Sequence, residues 1–172
     1  MLRVYTSSDF KQLQSWVTDC DILLQFSGTD FSFPLEETQL LGYQELYPDR
    51  TFYLGYLPDN TPYAFGEIIP QEGNIPRLGR ILVGRSELRG QKLGRCFVRM
   101  LLEQCRLLYD CEHVELLVWN ENFAAIKCYQ SVGFVYCSDK LKTLVVGDRS
   151  LNIHKMIYSY DSFLPNKNDP TL

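Results

Sequence analysis

Between Lys92 and Tyr109 the apolar side chains recur at Leu93, Phe97, Leu101, Cys105 and Leu108, spaced four, four, four and three. That period predicts a helix with one buried stripe, leaving Arg95, Arg99, Glu103 and Arg106 on its wet side. Elsewhere the pattern shortens. LRVYT reads as an opening strand, and Ser7-Ser8-Asp9 as a cap before the helix FKQLQSWV. FSGTDFSFPLEETQLLGYQEL starts as a Gly- and Pro-containing loop and leads into a short helix around Glu36 to Gln44. TFYLGYL and TPYAFGEII are β-rich runs joined by Pro58-Asp59-Asn60, which predicts a hairpin. IPRLGRILV and HVELLVW are further strands, NFAAIKCYQS is a helix stopped by Gly133, and FVYC is a strand. After a polar loop, LNIHKMIYS closes the sheet. The order β-α-α-β-β-β-α-β-α-β-β predicts one mixed α/β domain over 1–160, with a polar, loosely ordered tail over 161–172.

Composition narrows the class. With 172 residues, 45% hydrophobic and 13% aromatic, the chain is globular and long enough to bury a substantial core. Ten of its 23 aromatics fall between Phe26 and Phe65, where strand positions are expected to fill that core. The net charge of −4 gives no support to a nucleic-acid partner. No run approaches eighteen apolar residues, and the N-terminal stretch turns polar at Thr6, so neither a membrane span nor a signal peptide is expected. Six cysteines without a C-x-x-C pair read as reduced, buried thiols of a cytoplasmic protein, and Cys111-Glu112-His113 is too sparse for a metal site.

Charge is unevenly spread. Arg80 to Arg99 holds six cations against Glu87, a surplus of +5 in an acidic chain. RGQKLG leaves a strand, turns through Gly90 and opens the long helix. The first amides of a helix lack internal acceptors and carry the positive end of its dipole, so several N–H groups can converge on one oxyanion. Gly90 and Gly94 permit close approach of a ligand, while Arg89, Lys92 and Arg95 add full charges. The ligand implied is a phosphate or pyrophosphate, against the alternative of a solvated basic turn. Gly79 to Ser86 comes within one residue of the G-x-x-x-x-G-K-[ST] nucleotide loop. Its intervening residues include Ile81-Leu82-Val83, which read as strand rather than turn, and arginine replaces the lysine.

A second element lies downstream. Asn122, Ala125, Ile126 and Tyr129 are spaced to share one helix face, and Gly133-Phe134 follows. An amide and a phenol on that face suit an elongated polar ligand.

Together RGQKLG and N-x-x-A-I-x-x-Y-x-x-x-G-F resemble the motifs of GNAT-superfamily N-acetyltransferases, over about Leu2 to Tyr158. VGRSELRG is similar to the form found in the branch with ribosomal-protein and aminoglycoside acetyltransferases. The resemblance implies a single mixed, mostly antiparallel central sheet flanked by helices, of the acyl-CoA N-acyltransferase type. It implies acetyl-CoA as cosubstrate, no metal, an amine acceptor, and a possible homodimer. By position, Arg89, Gly90, Gln91, Lys92, Leu93 and Gly94 would cradle the coenzyme A pyrophosphate, with Arg95 adding charge. Ile81, Leu82 and Val83 would pair with the pantetheine arm and polarise the thioester carbonyl. Asn122 would bond the pantetheine beside Ala125, and Tyr129 would protonate the departing thiolate as general acid. Lys92 stands where the family motif commonly has glycine, and an αR backbone is expected there. Leu117 stands where peptide-N-terminal members often carry a glutamate.

Glu67 is the candidate general base, against a plain surface carboxylate, with Glu115 a lesser candidate and a water chain a third route. Asp30, Glu36 and Glu37 are placed to attract a cationic amine. His113 and His154 fall in strand patterns and read as structural. The leading expectation is acetyl transfer from acetyl-CoA to a small amine or peptide N-terminus. The alternatives are a catalytically silent acyl-CoA-binding module and a domain whose basic turn docks an acidic partner.

Overall fold

A computed structural model describes residues 1–84, 91–137, 142–147 and 149–160. The elements run β1 (Leu2–Val4), α1 (Phe10–Trp16), α2 (Cys20–Ser27), α3 (Glu37–Leu46), β2 (Thr51–Tyr56), β3 (Pro62–Ile69) and β4 (Arg77–Val83). They continue with α4 (Leu93–Tyr109), β5 (His113–Trp119), α5 (Phe123–Val132), β6 (Val135–Tyr136), β7 (Lys142–Val146) and β8 (Arg149–Ser159). One sheet has the order β1-β2-β3-β4-β5-β8-β6, with β7 paired to β8. Among the described residues only β4 and β5 run parallel. The chain therefore forms the expected mixed, mostly antiparallel sheet flanked by helices.

Two elements were not in the expected order. Helix α2 is capped by Asp19, whose carboxylate accepts from the Ile22 amide at 2.8 Å, and it buries Leu23 and Phe26. At eight residues it is too short to show a helical period. Strand β7 lies in the segment expected to be a polar loop. Its residues alternate only between exposed and half-buried, with none fully buried, so pairing with β8 rather than burial makes it a strand.

Helices cover both sheet faces, which explains why β2 and β3 read as unbroken apolar runs. Phe52, Leu54 and Tyr56 join α1–α3 in one core, while Tyr53 points to the other beside α4 and α5. Eight of the ten clustered aromatics are buried, half-buried Tyr47 packs against them, and Phe33 is exposed.

Helix α4 crosses the sheet on Phe97, which is 0% exposed and fills the space left by two strand glycines. A Cβ on Gly55 or Gly66 would lie 2.7 or 2.8 Å from that ring. The buried stripe of α4 is Phe97, Val98, Leu101, Leu102 and Cys105. Leu108, expected in the stripe, is 51% exposed, because Tyr109, a full turn after Cys105, is the residue that packs against the core there. Of the six free cysteines, Cys105 and Cys111 are buried, Cys128 is half-buried, and Cys20, Cys96 and Cys137 are exposed, so uniform burial of the thiols does not hold. Among the described residues no helix is long and apolar enough to cross a membrane.

Candidate active site

The site begins with a fault in β4. Ala64 and Phe65 pair with Val83 and Leu82, but Glu67 pairs with Gly79, so Arg80 and Ile81 together face Gly66 across the register shift. Arg80 takes the left-handed conformation at this β-bulge, with φ 48°. On its other edge β4 pairs with β5 only at Arg77↔Glu115 and Leu78↔Leu116. Beyond that point the parallel strands part. Ile81, Leu82 and Val83 keep β3 on one side and, among the described residues, have no strand on the other. A free strand edge is a row of unpaired backbone donors and acceptors suited to an extended amide-bearing ligand.

A cavity of about 700 Å³ opens against this edge, lined by Ile81, Leu82 and Val83 on one wall and by Asn122, Ala125 and Tyr129 on the other. At its mouth stand Lys92, Leu93, Gly94 and Arg95. Among the described residues no side chain caps α4, so its first amides are left for a ligand. Lys92 departs from the expected αR form: it holds φ 63°, ψ 9° as the residue ahead of the helix. The special conformation thus falls on the lysine itself, where the family motif has glycine. Gly94 is inside the helix, and a Cβ there would sit 3.4 Å from Cys128 Sγ, an ordinary contact. Arg95, expected on the wet side, is half-buried, and its Nε is buried with no partner among the described residues. Gln91 lies exposed just before this helix start. Arg89 and Gly90 lie outside the described residues, as does the tail 161–172.

Helix α5 supplies the facing wall. The Asn122 side-chain oxygen caps it by accepting from the Ala125 amide at 3.2 Å, which leaves the Asn122 amide hydrogens free to donate elsewhere. The helix ends at Gly133, φ 118°, whose N–H reaches the Tyr129 carbonyl at 3.2 Å, and the Phe134 N–H reaches the same oxygen at 3.1 Å. Tyr129 is 7% exposed. Burial, and then nearby Cys128, push its phenol well above the usual tyrosine range, so it holds its proton.

A second cavity, of about 340 Å³, adjoins the first and shares Gln25, Phe26, Ile81, Asn122 and Tyr129 with it. Its far side carries Asp30, Arg50, Arg77 and Arg80. Arg80 turns away from the basic turn, inward. It pairs with Glu67 and with Asp30, and its guanidinium lies 4.1 Å from the Tyr43 ring centroid. Glu67, expected either at the cleft or on the surface, is 0% exposed and lines neither cavity. One of its oxygens accepts from the Tyr43 hydroxyl at 2.9 Å, the other from Arg80. Burial raises its pKa, against the opposing pull of Arg80 and Tyr43. The Tyr43 phenol is pushed up to about 12, first by burial and then by Glu67. Glu115 is buried between Arg77 and Lys155. Burial alone would raise it, but hydrogen bonds from Lys155 and Arg77 bring it below the usual carboxylate range.

Leu117 lines the smaller cavity, while Glu36 and Glu37 line neither. Of the three arginines of that cavity, Arg80 was counted with the basic turn, and Arg50 and Arg77 were not singled out from the sequence. Arg80, a cation inside the apolar run LGRILV, was the signal that would have found one of them. Among the described residues no three His, Cys, Asp or Glu side chains group as a metal ion would need.

Known proteins place this architecture. A curated relative, the spermine/spermidine N(1)-acetyltransferase of Bacillus subtilis (strain 168), is 26% identical over 87 residues. That match covers 48% of this chain and 57% of the relative, so the chain spans little more than half its length. Spermidine N-acetyltransferase from Vibrio cholerae, solved with CoA and spermine, superposes with a TM-score of 0.78 at 14% identity, covering 96% of this chain and 98% of that one. AAC(6')-Ib in complex with paromomycin and acetyl-CoA gives 0.72 at 19% identity, covering 98% of each chain. The model of the acetyltransferase (GNAT) family matches residues 11–134, from α1 through the end of α5, and so takes in the split strands, the start of α4 and the Asn122–Tyr129 face. This chain belongs to the acetyltransferase (GNAT) family.

Proposed function

We propose that the chain moves an acetyl group from acetyl-CoA to a primary amine, of a small molecule or a peptide N-terminus, by direct attack in a ternary complex. The observation that carries this reading is the junction of the two cavities at Ile81, Asn122 and Tyr129. One cavity has a strand edge and an uncapped helix start, suited to pantetheine and pyrophosphate. The other approaches the same point from the side of α2 and admits a small acceptor.

In this reading Lys92, Leu93, Gly94 and Arg95 hold the pyrophosphate, together with Gln91, Arg89 and Gly90. The free edge of Ile81–Val83 takes the pantetheine arm, and Asn122 donates to one of its carbonyls beside Ala125. The amine nitrogen bonds to the thioester carbon, a backbone N–H of β4 stabilises the oxyanion, and the C–S bond breaks. One such donor contributes about 3–4 kcal/mol to the barrier when aimed at the oxyanion. Tyr129 gives its proton to the leaving thiolate and regains one from solvent. The amine proton leaves to water in the cleft. Glu67, which touches neither cavity, acts as a positioning residue by holding Arg80, rather than as a base in contact with the amine.

The cytoplasm is the compartment this reading fits, and six free cysteines agree with reducing conditions. For assembly we propose a homodimer, checked by sedimentation equilibrium. A dodecameric form is known for the Vibrio cholerae spermidine N-acetyltransferase.

The test compares acetyl-CoA, CoA and ATP by thermal shift, followed by amine-dependent thiol release. A ligand at 100 times its Kd stabilises the fold by about 2.7 kcal/mol. Shifts with both CoA species but not ATP, with thiol release on adding amine, are expected. Shifts without release would mark a silent binding module, and no shift with either CoA species would sink the reading.

A further inference from the structure

The smaller cavity has an unusual charge balance for an amine site. Among the described residues, its charged lining consists of three arginines and one aspartate. Among the described residues, Glu67 and Asp30 are held by Arg80, and Glu115 by Arg77 and Lys155. Arg50 is different. It donates to the Tyr43 hydroxyl and lies 3.7 Å from the Tyr47 ring centroid, yet has no carboxylate partner among the described residues. Glu67 feels the charge of Arg50 without pairing with it, so among the described residues Arg50 is a half-buried guanidinium on the cavity wall that no carboxylate holds directly.

We propose that the acceptor is a small amine that also carries a carboxylate, an amino-acid-like molecule whose acid group binds Arg50 while its amine reaches the junction at Asn122 and Tyr129. This rests on the acetyl-transfer reading above.

Among the described lining residues a polycation meets one acid, Asp30, and would have to displace Arg80 from it. A carboxylate meets the Arg50 donors that Tyr43 does not take, and a guanidinium has enough of them to bind a carboxylate bidentately. The same field serves the chemistry. Like charge disfavours an ammonium ion, so a cationic wall favours the neutral, nucleophilic amine without a dedicated base. Volume agrees with a small acceptor, since about 340 Å³ lies at the lower end of ligand cavities.

The experiment measures kcat/KM by thiol release with acetyl-CoA, using β-alanine, 4-aminobutyrate and a set of α-amino acids, each against its own carboxamide. Spermidine and paromomycin are the polycationic probes. At least one carboxylate is expected to exceed its carboxamide by on the order of ten- to a hundredfold, the worth of a hydrogen bond to a charged group. That ratio falls toward one in Arg50→Gln and is partly kept in Arg50→Lys, with CoA affinity of each variant reporting that it is folded. Spermidine or paromomycin outperforming every carboxylate overturns the proposal. So does a ratio that survives Arg50→Gln, or an enzyme that binds acetyl-CoA and turns over none of the carboxylates. Failure to bind acetyl-CoA overturns instead the acetyl-transfer reading on which the proposal stands.

Discussion

Glu67 and Arg80 form an ion pair in which neither side chain reaches water, at 0% and 6% exposure. The pair fastens β3 to the bulge of β4 at the strained residue, Arg80, whose left-handed backbone alone costs about 1–2 kcal/mol. Removing one partner of a buried pair strands the other charge. Glu67→Gln is therefore expected to lower stability by about 3 kcal/mol, with Asp30 limiting the damage. In urea unfolding, Glu67→Gln combined with Arg80→Met should cost clearly less than the two separate losses added. Simple additivity would mean that the pair does not couple.

Tyr129 is predicted to serve as an acid that never titrates in the working range. Burial, then Cys128, place its phenol above the ordinary value of about 10. Tyr129→Phe should lower kcat by up to about 10²–10⁴-fold while coenzyme A still binds. The wild-type pH profile should show no alkaline limb from this residue below about pH 10. A limb near pH 8 that disappears in the Phe variant would contradict the assignment.

Lys92 holds a backbone conformation that glycine adopts without strain. Lys92→Gly should raise stability by about 0.5–1 kcal/mol, the relieved strain less the added freedom of the unfolded chain. Lys92→Ala keeps the strain and should show no such gain. Equal unfolding midpoints for the Gly and Ala variants would dismiss the strain.

Glu115 makes stability depend on acid pH. Its folded-state pKa lies below the usual carboxylate range, so the fold prefers the ionised form. That contribution is fully present above the unfolded value of about 4.3 and is lost as pH falls through the folded value. Arg77 and Lys155 are 26% and 38% exposed, which discounts the pairing, so Glu115→Gln should cost about 1–3 kcal/mol at pH 7. The gap between wild type and variant should narrow as pH drops from 5 toward 3. A gap that is constant with pH would assign the loss to packing.

Much of this protein is legible from short-range pattern. The period of four marked α4, Pro58-Asp59-Asn60 marked the hairpin, and Gly133 marked the end of α5 because a stop of this kind acts within a single turn. The order of these signals was enough to indicate the family and the face that bears Tyr129.

Tertiary structure decided where the charges went. Arg80 reads as one more cation of a basic turn, yet it points inward because Glu67 and Asp30, 13 and 50 positions away in the chain, converge on it once β3 and the segment after α2 are folded. Helix α2 is too short to carry a period, and the parting of β4 from β5 after Leu78 is a matter of pairing between distant strands. Local signals reach about one turn or one strand pair. A buried charge, a bulge and a cavity wall answer to contacts that only the closed fold brings together.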